Sequence, residues 1–135
     1  MMADELEIDW QELLGWGRDE LNELRNCGYS YIRQGKYDIG VKFFRALVAL
    51  DTDNAYDAQT LGAILLEMNE NEEALEVLVD ALKLEPNHGP TLLNQAKALF
   101  ALGHREEGLR IVRFLKKSKD RDVASMAKAL LLAYS

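Results

Sequence analysis

The chain repeats a pattern of small, turn-forming and apolar residues every 34 positions, and this period constrains its fold more than any other feature. Three copies align in phase, each with a small residue, a turn residue, a second small residue and an apolar residue. In that order the four sets are Gly28, Gly62 and Ala96; Gly35, Asn69 and Gly103; Gly40, Ala74 and Gly108; and Phe44, Leu78 and Val112. A fixed period of roughly 20–50 residues is typical of repeat architectures. The sequence therefore predicts a repeat array, which more often binds a partner than catalyses a reaction.

Apolar residues three or four positions apart predict two helices in each copy. The predicted helices are Asp19–Gln34, Tyr37–Leu50, Ala55–Glu67, Asn71–Leu84, Thr91–Leu102 and Arg105–Ser118, with a last helix that Asp120 caps and that runs through Tyr134. No segment alternates as a strand does, so the predicted fold class is all-α. One domain, 1–135, is expected: an N-terminal segment 1–20 with a leading helix, repeats 21–54, 55–88 and 89–122, and a C-terminal capping helix 123–135.

The small residues have a physical reason to recur. A glycine inside a helix costs about 1 kcal/mol relative to alanine, so its return at one phase of the repeat indicates a compensating gain. Two antiparallel helices pack closely only where small side chains separate their axes. We therefore expect Gly28, Gly62 and Ala96 to lie on a packing seam between the two helices of each repeat.

Length, charge and cysteine content narrow the class of protein. A chain of 135 residues can bury a core without disulfides or metal, and the lone Cys27, expected in the core, favours a reducing compartment. The acidic first residues do not resemble a signal peptide, and no run approaches the roughly 18 apolar residues of a membrane-spanning helix. These features predict a soluble cytoplasmic protein that is not inserted in a membrane. Its net charge of −7 disfavours nucleic acid as a partner.

At the recurring positions the sequence resembles the tetratricopeptide repeat family. The first copy carries Leu24-x2-Cys27-Gly28-x2-Tyr31, close to the family's aromatic-x2-Leu-Gly-x2-Tyr opening, and Pro86 falls where the family places proline. Leu65 and Leu99 stand in place of tyrosine, and Thr52 and Asp120 in place of proline, which are ordinary exchanges in the family. The resemblance covers about residues 21–122. It implies a groove lined mainly by the first helix of each pair.

A narrower resemblance concerns type III secretion chaperones. The run from Tyr31 to Asp38, continued by residues 43–51, is similar to the first repeat of chaperones for translocator proteins, and residues 115–120 are similar to chaperones for needle subunits. The resemblance implies a chaperone that holds apolar segments of a secreted client, a translocator or a needle subunit, soluble and competent for export. The alternative is a generic tetratricopeptide-repeat scaffold that binds a short peptide of a folded partner.

The residues of the first helices that the seam does not use are the candidates for the groove. Exposed aromatic and aliphatic side chains at helical spacing would contact an apolar client, while interspersed polar ones would hold its backbone or charges. The predicted client-binding residues are Arg25, Tyr29, Ile32, Tyr56, Gln59, Ala63, Leu66, Leu93, Lys97 and Phe100. The competing interpretation is that several of them pack between repeats.

The N-terminal segment and the C-terminal basic run each have two interpretations. An apolar face containing Trp10, Leu13, Leu14 and Trp16 either caps the first repeat or contacts a second copy or a co-chaperone. Residues 1–20 hold seven acids and one base, whereas residues 101–135 hold eight bases and four acids. The run Arg113, Lys116, Lys117, Lys119 and Arg121 is either a solvated face or a contact for an acidic client or for the acidic N-terminus of another copy.

No motif predicts catalysis, a metal or a cofactor. His88 and His104 fall in predicted turns without a cysteine or another histidine at zinc-ligand spacing. The acidic cluster from Glu70 to Glu76 is typical of a solvated helix start, and no glycine-rich phosphate loop is present. We therefore expect neither catalytic nor metal-binding residues, no cofactor, and a function in protein binding.

Overall fold

The structure is a computed structural model that describes residues 9–135, apart from the side chains of Trp10 and Leu13. The chain divides into two compact units, Met1–Asn54 and Ala55–Ser135. The described part of unit 1 contains α1 (Trp10–Leu14), α2 (Arg18–Arg33) and α3 (Tyr37–Leu50). The boundary between the units coincides with the predicted end of the first repeat. The organisation into a single domain stays a prediction.

Unit 2 contains five helices, α4 (Ala55–Glu67), α5 (Asn71–Leu84), α6 (Gly89–Ala101), α7 (Arg105–Leu115) and α8 (Arg121–Tyr134). The regular elements of residues 9–135 are all helices, which confirms the all-α fold class. The bounds of α3, α4 and α5 are those predicted. Helix α7 ends earlier than predicted, at Leu115, because residues 116–120 turn back toward α8. Among the residues that the structure describes, no helix is both long and apolar enough to cross a bilayer.

The turn between the two helices of each pair is built in the same way three times. Gly35, Asn69 and Gly103 adopt left-handed backbone conformations, with φ of 76°, 61° and 85°. The amide that follows each turn residue, of Lys36, Glu70 or His104, donates to the carbonyl five residues earlier at 2.8–2.9 Å. This bond is the hallmark of the Schellman helix ending, which requires a positive φ. Asparagine can replace glycine in the second turn because it tolerates the left-handed region best among other residues.

The predicted seam is present in both units. A Cβ atom placed on Gly28 would lie 2.8 Å from Cε2 of Phe44, and one placed on Gly62 would lie 2.5 Å from Cδ2 of Leu78. Phe44, Leu78 and the equivalent Val112 are fully buried. Each such side chain stabilises the fold by about 1.5–3 kcal/mol through burial alone. The glycines thus let the second helix of a pair place a large buried apolar side chain against the backbone of the first.

Helix α8 begins at a side-chain cap. The Asp120 carboxylate accepts hydrogen bonds from the amides of Asp122 at 3.0 Å and Val123 at 3.3 Å. Replacing Asp120 by alanine is expected to lower the free energy of unfolding by about 1 kcal/mol, because both amides lose their acceptor. Asp120→Asn keeps the acceptor oxygen and should lose less than half as much in urea denaturation followed by circular dichroism. Equal losses in the two variants would show that charge, and not capping, is responsible.

Candidate functional site

Helices α4, α6 and α8 form one row of unit 2, which we call its inner face. Helix α4 packs on α6 and α6 packs on α8, whereas the Cα atoms of α5 and α7 stay more than 8 Å apart. The helices of unit 2 therefore lie closer together along the row α4, α6, α8 than α5 and α7 do. The unit is concave on the side of that row. Tyr56 on α4 and Met126 on α8 are 56% and 42% exposed, although both are large and apolar. Exposed groups of this kind on a curved face are typical of a surface that binds a partner.

A cavity of about 370 Å³ opens on this face between α6 and α8. Its apolar lining comes from Pro90, Leu93, Val123 and Met126, and its polar lining from Asn94, Lys97, Asp120 and Asp122. An apolar base with a few polar side chains at its edge suits an aliphatic or aromatic side chain whose backbone is held by hydrogen bonds. Two of the predicted client-binding residues, Leu93 and Lys97, lie here together.

Sequence reasoning missed Pro90, Asn94 and Met126. The period could have found Pro90, because it stands 34 positions after Tyr56. In the same way Leu93 and Lys97 occupy on α6 the positions of Gln59 and Ala63 on α4. Met126 carried no such signal, since the last helix was interpreted only as a cap.

Phe100 packs inside the fold, so its predicted contact with a client was wrong, whereas Ile32 is half-buried and packs toward α3. A Cβ atom on Gly108 would lie 2.6 Å from Cε1 of Phe100, and one on Gly40 would lie 2.9 Å from Cγ1 of Ile32. Phe100 is only 7% exposed. The reason is helical geometry: Phe100 and Ile32 follow Ala96 and Gly28 by four residues and so continue the stripe of the seam. The second set of small residues is what these two side chains pack against.

The C-terminal turn of α8 covers the other side of Phe100. The rings of Phe100 and Tyr134 stack with centroids 4.0 Å apart and planes 3° apart. Arg105 Nε donates to the Tyr134 carbonyl oxygen at 2.7 Å and holds that turn in place. The surface of Phe100 that was predicted to contact a client is therefore covered by this chain's own Tyr134.

The remaining predicted residues of unit 2 differ in exposure. Gln59 is buried, and its Nε2 donates to a Glu85 carboxylate oxygen at 2.8 Å, which ties α4 to the end of α5. Leu93 is also buried and lines the cavity. Ala63 and Leu66 on α4 are half-buried. Lys97 is half-buried as well, so within the predicted set of unit 2 only Tyr56 is exposed.

In unit 1 the predicted residues take part in local interactions. Arg25 lies 3.4 Å from an Asp51 carboxylate oxygen and donates to Asn22 Oδ1 at 2.8 Å, beside a polar cavity of about 410 Å³. The Tyr29 ring meets the Phe44 ring edge-on, with centroids 5.1 Å apart. Arg25 and Tyr29 are half-buried. A ligand that used these side chains would have to compete with contacts that already hold α2 to α3.

The predicted oligomer or co-chaperone contact is described only in part. The side chains of Trp10 and Leu13 lie outside the described residues. Leu14 is exposed and Trp16 is half-buried. Gln11 Nε2 donates to the Leu50 carbonyl oxygen at 2.6 Å and anchors α1 on the end of α3. The role of this surface in oligomer formation stays a prediction.

The described residues offer no reactive or metal-binding cluster around Cys27. Cys27 is exposed, so its predicted place in the core was wrong. It stands one position before Gly28, which turns its side chain away from the seam. Within residues 9–135, no group of histidine, cysteine and acidic side chains is arranged to hold a metal ion.

Comparison with known proteins identifies the family. Residues 33–115, more than half of the chain, match the family model described as anaphase-promoting complex, cyclosome, subunit 3, a tetratricopeptide-repeat family, and the chain belongs to it. The STIP1 homolog of Dictyostelium discoideum is 32% identical over 85 residues, or 63% of this chain. That match spans only 15% of the relative's own length.

Solved structures similar to this chain include chaperones of type III secretion. A type III secretion complex from Aeromonas hydrophila contains a chain with a TM-score of 0.81 and 21% identity, and the alignment covers 96% of this chain and 90% of that one. PcrH of Pseudomonas aeruginosa, in complex with the chaperone binding region of PopD, has a TM-score of 0.79 and 26% identity, with 89% and 94% covered. The fold of this chain is therefore that of the translocator chaperones.

Proposed function

We propose that this protein is a cytoplasmic chaperone of type III secretion, which binds apolar segments of a secreted client on the inner face of its helical array. One observation carries the proposal: the cavity between α6 and α8, bordered by the exposed Met126, on the same row of helices as the exposed Tyr56. The similarity to PcrH, whose structure holds the chaperone binding region of PopD, supports it. The client is a translocator or a needle subunit.

The proposed mechanism is the burial of apolar client side chains on the inner face. A client segment that is apolar enough to aggregate or to enter a membrane would place one side chain in the cavity, against Leu93 and Val123, and a neighbouring one on Tyr56. Each Å² of apolar surface removed from water contributes about 25 cal/mol, and several such side chains together would offset the entropic cost of holding an unfolded client. Lys97 and Asn94 at the cavity edge would bind client carbonyl groups. Binding of this kind needs no nucleotide, and release would follow from competition at the secretion machinery.

A generic scaffold that binds a short peptide of a folded partner is the second candidate. The family match and the similarity to the STIP1 homolog favour it, because neither is specific to secretion. Co-expression separates the two candidates. A chaperone should raise the soluble fraction of a client that is insoluble alone, whereas the partner of a scaffold should be soluble without it.

The proposed face is tested by removing its two exposed apolar side chains. We expect Tyr56→Ala with Met126→Ala to lower the yield of co-expressed soluble client at least about tenfold, because the client loses two apolar contacts. Both side chains are exposed, so the melting temperature should change little. The matched control is Val79→Ala with Leu84→Ala, which removes two exposed apolar groups from α5.

Unchanged client yield in a well-folded Tyr56/Met126 variant would refute this binding face. Equal losses in the two double variants would show that binding depends on general surface hydrophobicity and not on the inner face.

A further inference from the structure

A second apolar cavity, of about 510 Å³, lies where α7 ends beside the start of α6. We name it the Phe114 pocket; its lining residues are Asn87, Gly89, Pro90, Leu92, Arg113, Phe114, Leu115, Lys117, Ser118 and Asp120. Phe114 is 69% exposed, whereas its neighbour Leu115 is buried in the core of unit 2. A phenyl ring left in water beside an apolar cavity is typical of a surface that another molecule covers.

Positive charge is concentrated around this ring. Five basic residues fall within nine positions, namely Arg113, Lys116, Lys117, Lys119 and Arg121. Within residues 9–135 none of these five side chains forms an ion pair within 4.0 Å. The carboxylates nearest in sequence, of Asp120 and Asp122, also line the cavity on the inner face, and that of Asp120 is engaged by amides at the start of α8. The surface around Phe114 is therefore apolar at its centre and predominantly positive at its edge.

We propose that the Phe114 pocket docks on the surface of an anionic lipid bilayer. An aromatic ring among lysines and arginines suits a membrane interface, because the ring enters it while the basic side chains keep their charges beside the lipid headgroups. A cluster of about four to eight basic residues is typical of proteins that bind anionic lipid. Contact of this kind requires no membrane-spanning helix. It does not rest on client binding either, because the pocket shares only Pro90 and Asp120 with the cavity on the inner face.

A bilayer fits this surface better than an acidic segment of a protein does. Polar groups that could hold a peptide backbone in the pocket are already engaged. Ser118 Oγ accepts the Asp120 amide at 3.1 Å, and the Asp120 carboxylate accepts two amides of α8. Three of the five basic residues are lysines, whose compact charge on a flexible stem fixes no geometry for pairing with a single carboxylate. Such charges respond to a diffuse field, which the surface of an anionic bilayer supplies.

The net charge of the chain limits how it can approach such a bilayer. That charge is −7, so anionic lipid repels the acidic parts of the surface. Electrostatic attraction acts only within about a Debye length, roughly 10 Å at 0.1 M salt. The side of unit 2 that carries the Phe114 pocket is therefore the side that would face the membrane, and docking would be sensitive to salt.

Flotation of the full-length protein with lipid vesicles tests the proposal. The wild-type chain should float with phosphatidylcholine vesicles that contain about 40% phosphatidylglycerol at about 50 mM salt, and should leave them at about 500 mM salt. It should not float with vesicles of phosphatidylcholine alone. Phe114→Ala should weaken binding about fivefold and leave its salt dependence unchanged, because the interface loses a ring and no charge.

The charges beside the ring are tested by a triple variant, Arg113→Gln with Lys117→Gln and Lys119→Gln. All three side chains are exposed, so the variant should fold, which circular dichroism verifies. It should bind the anionic vesicles at least about tenfold more weakly than the wild type, because three attractive charges near the bilayer are lost.

A second triple variant controls for net charge. Lys36→Gln with Lys42→Gln and Lys83→Gln removes three exposed positive charges from other parts of the surface. Both triple variants change the net charge from −7 to −10, because each loses three positive charges. The control should nevertheless float as the wild type does.

Four results would each overturn the proposal. Wild-type protein that ignores the anionic vesicles at low salt would leave an acidic protein segment as the partner of this surface. Equal losses in the two triple variants would show that binding follows net charge. Equal binding to vesicles with and without phosphatidylglycerol would show that the basic residues do not attract the protein. Unchanged binding of Phe114→Ala would place the ring, and the pocket with it, outside the contact.

Discussion

Replacing Phe100 by alanine is expected to lower the free energy of unfolding by about 3–5 kcal/mol, the usual cost of deleting a buried aromatic side chain. Phe100 fills the space above Gly108 on one side and stacks on Tyr134 on the other. Its removal leaves a cavity that neither neighbour can close, because Gly108 has no side chain and Tyr134 belongs to the last turn of α8. The measurement is urea denaturation at equilibrium, in which circular dichroism reports the fraction of helix that remains folded.

Phe114→Ala is the matched control, because it removes the same side chain from the exposed surface of the same unit. Its free energy of unfolding should change by less than about 0.5 kcal/mol. If Phe100 were an open client socket, as its sequence position suggested, Phe100→Ala would behave like Phe114→Ala in denaturation and would lose client binding instead. Similar stabilities of the two variants would therefore contradict the packing described for Phe100.

Gly62→Val is expected to destabilise the protein by about 3 kcal/mol, at the upper end of the usual cost of overpacking a core. The new Cβ atom would meet Cδ2 of Leu78 at 2.5 Å and its Cγ at 2.7 Å. Leu78 is fully buried and cannot swing away into solvent. The two helices α4 and α5 would have to separate, and a fall in melting temperature of about 10 °C should result.

Ala129→Val controls for the poor helix propensity of valine. Ala129 lies on the exposed side of α8, so the substitution should cost no more than about 0.7 kcal/mol. A Gly62→Val variant that is as stable as Ala129→Val would mean that the close approach of α4 and α5 at Gly62 is not needed for the fold.

The helices, the turns and the seam at Gly28, Gly62 and Ala96 were predictable, because each depends on residue types that recur in the sequence. A left-handed turn needs glycine or asparagine, and a close helix crossing needs a small residue, so Gly35, Asn69 and Gly62 mark these features directly. The period then places them in register. The family assignment follows from the same positions.

The binding face was predicted less well. Helical periodicity shows that Phe100 and Ile32 belong to an apolar stripe, but it does not show which neighbouring helix covers that stripe. Tyr134, which covers Phe100, lies on the last helix, and no repeated pattern links the two residues. The exposure of Cys27 was missed for a similar reason. Cys27 is in solvent although the next residue, Gly28, is buried, and periodicity did not separate these two neighbouring positions.

The pairing of helices also determines how this chain can begin to fold. Every contacting pair of helices in residues 9–135 is adjacent or next but one along the chain. Proteins dominated by such local contacts fold within microseconds to milliseconds, because few long loops must close before contacts form. Contacts within each helix pair can therefore begin to form before the rest of the chain has been synthesised, and stacking of the next repeat then stabilises them.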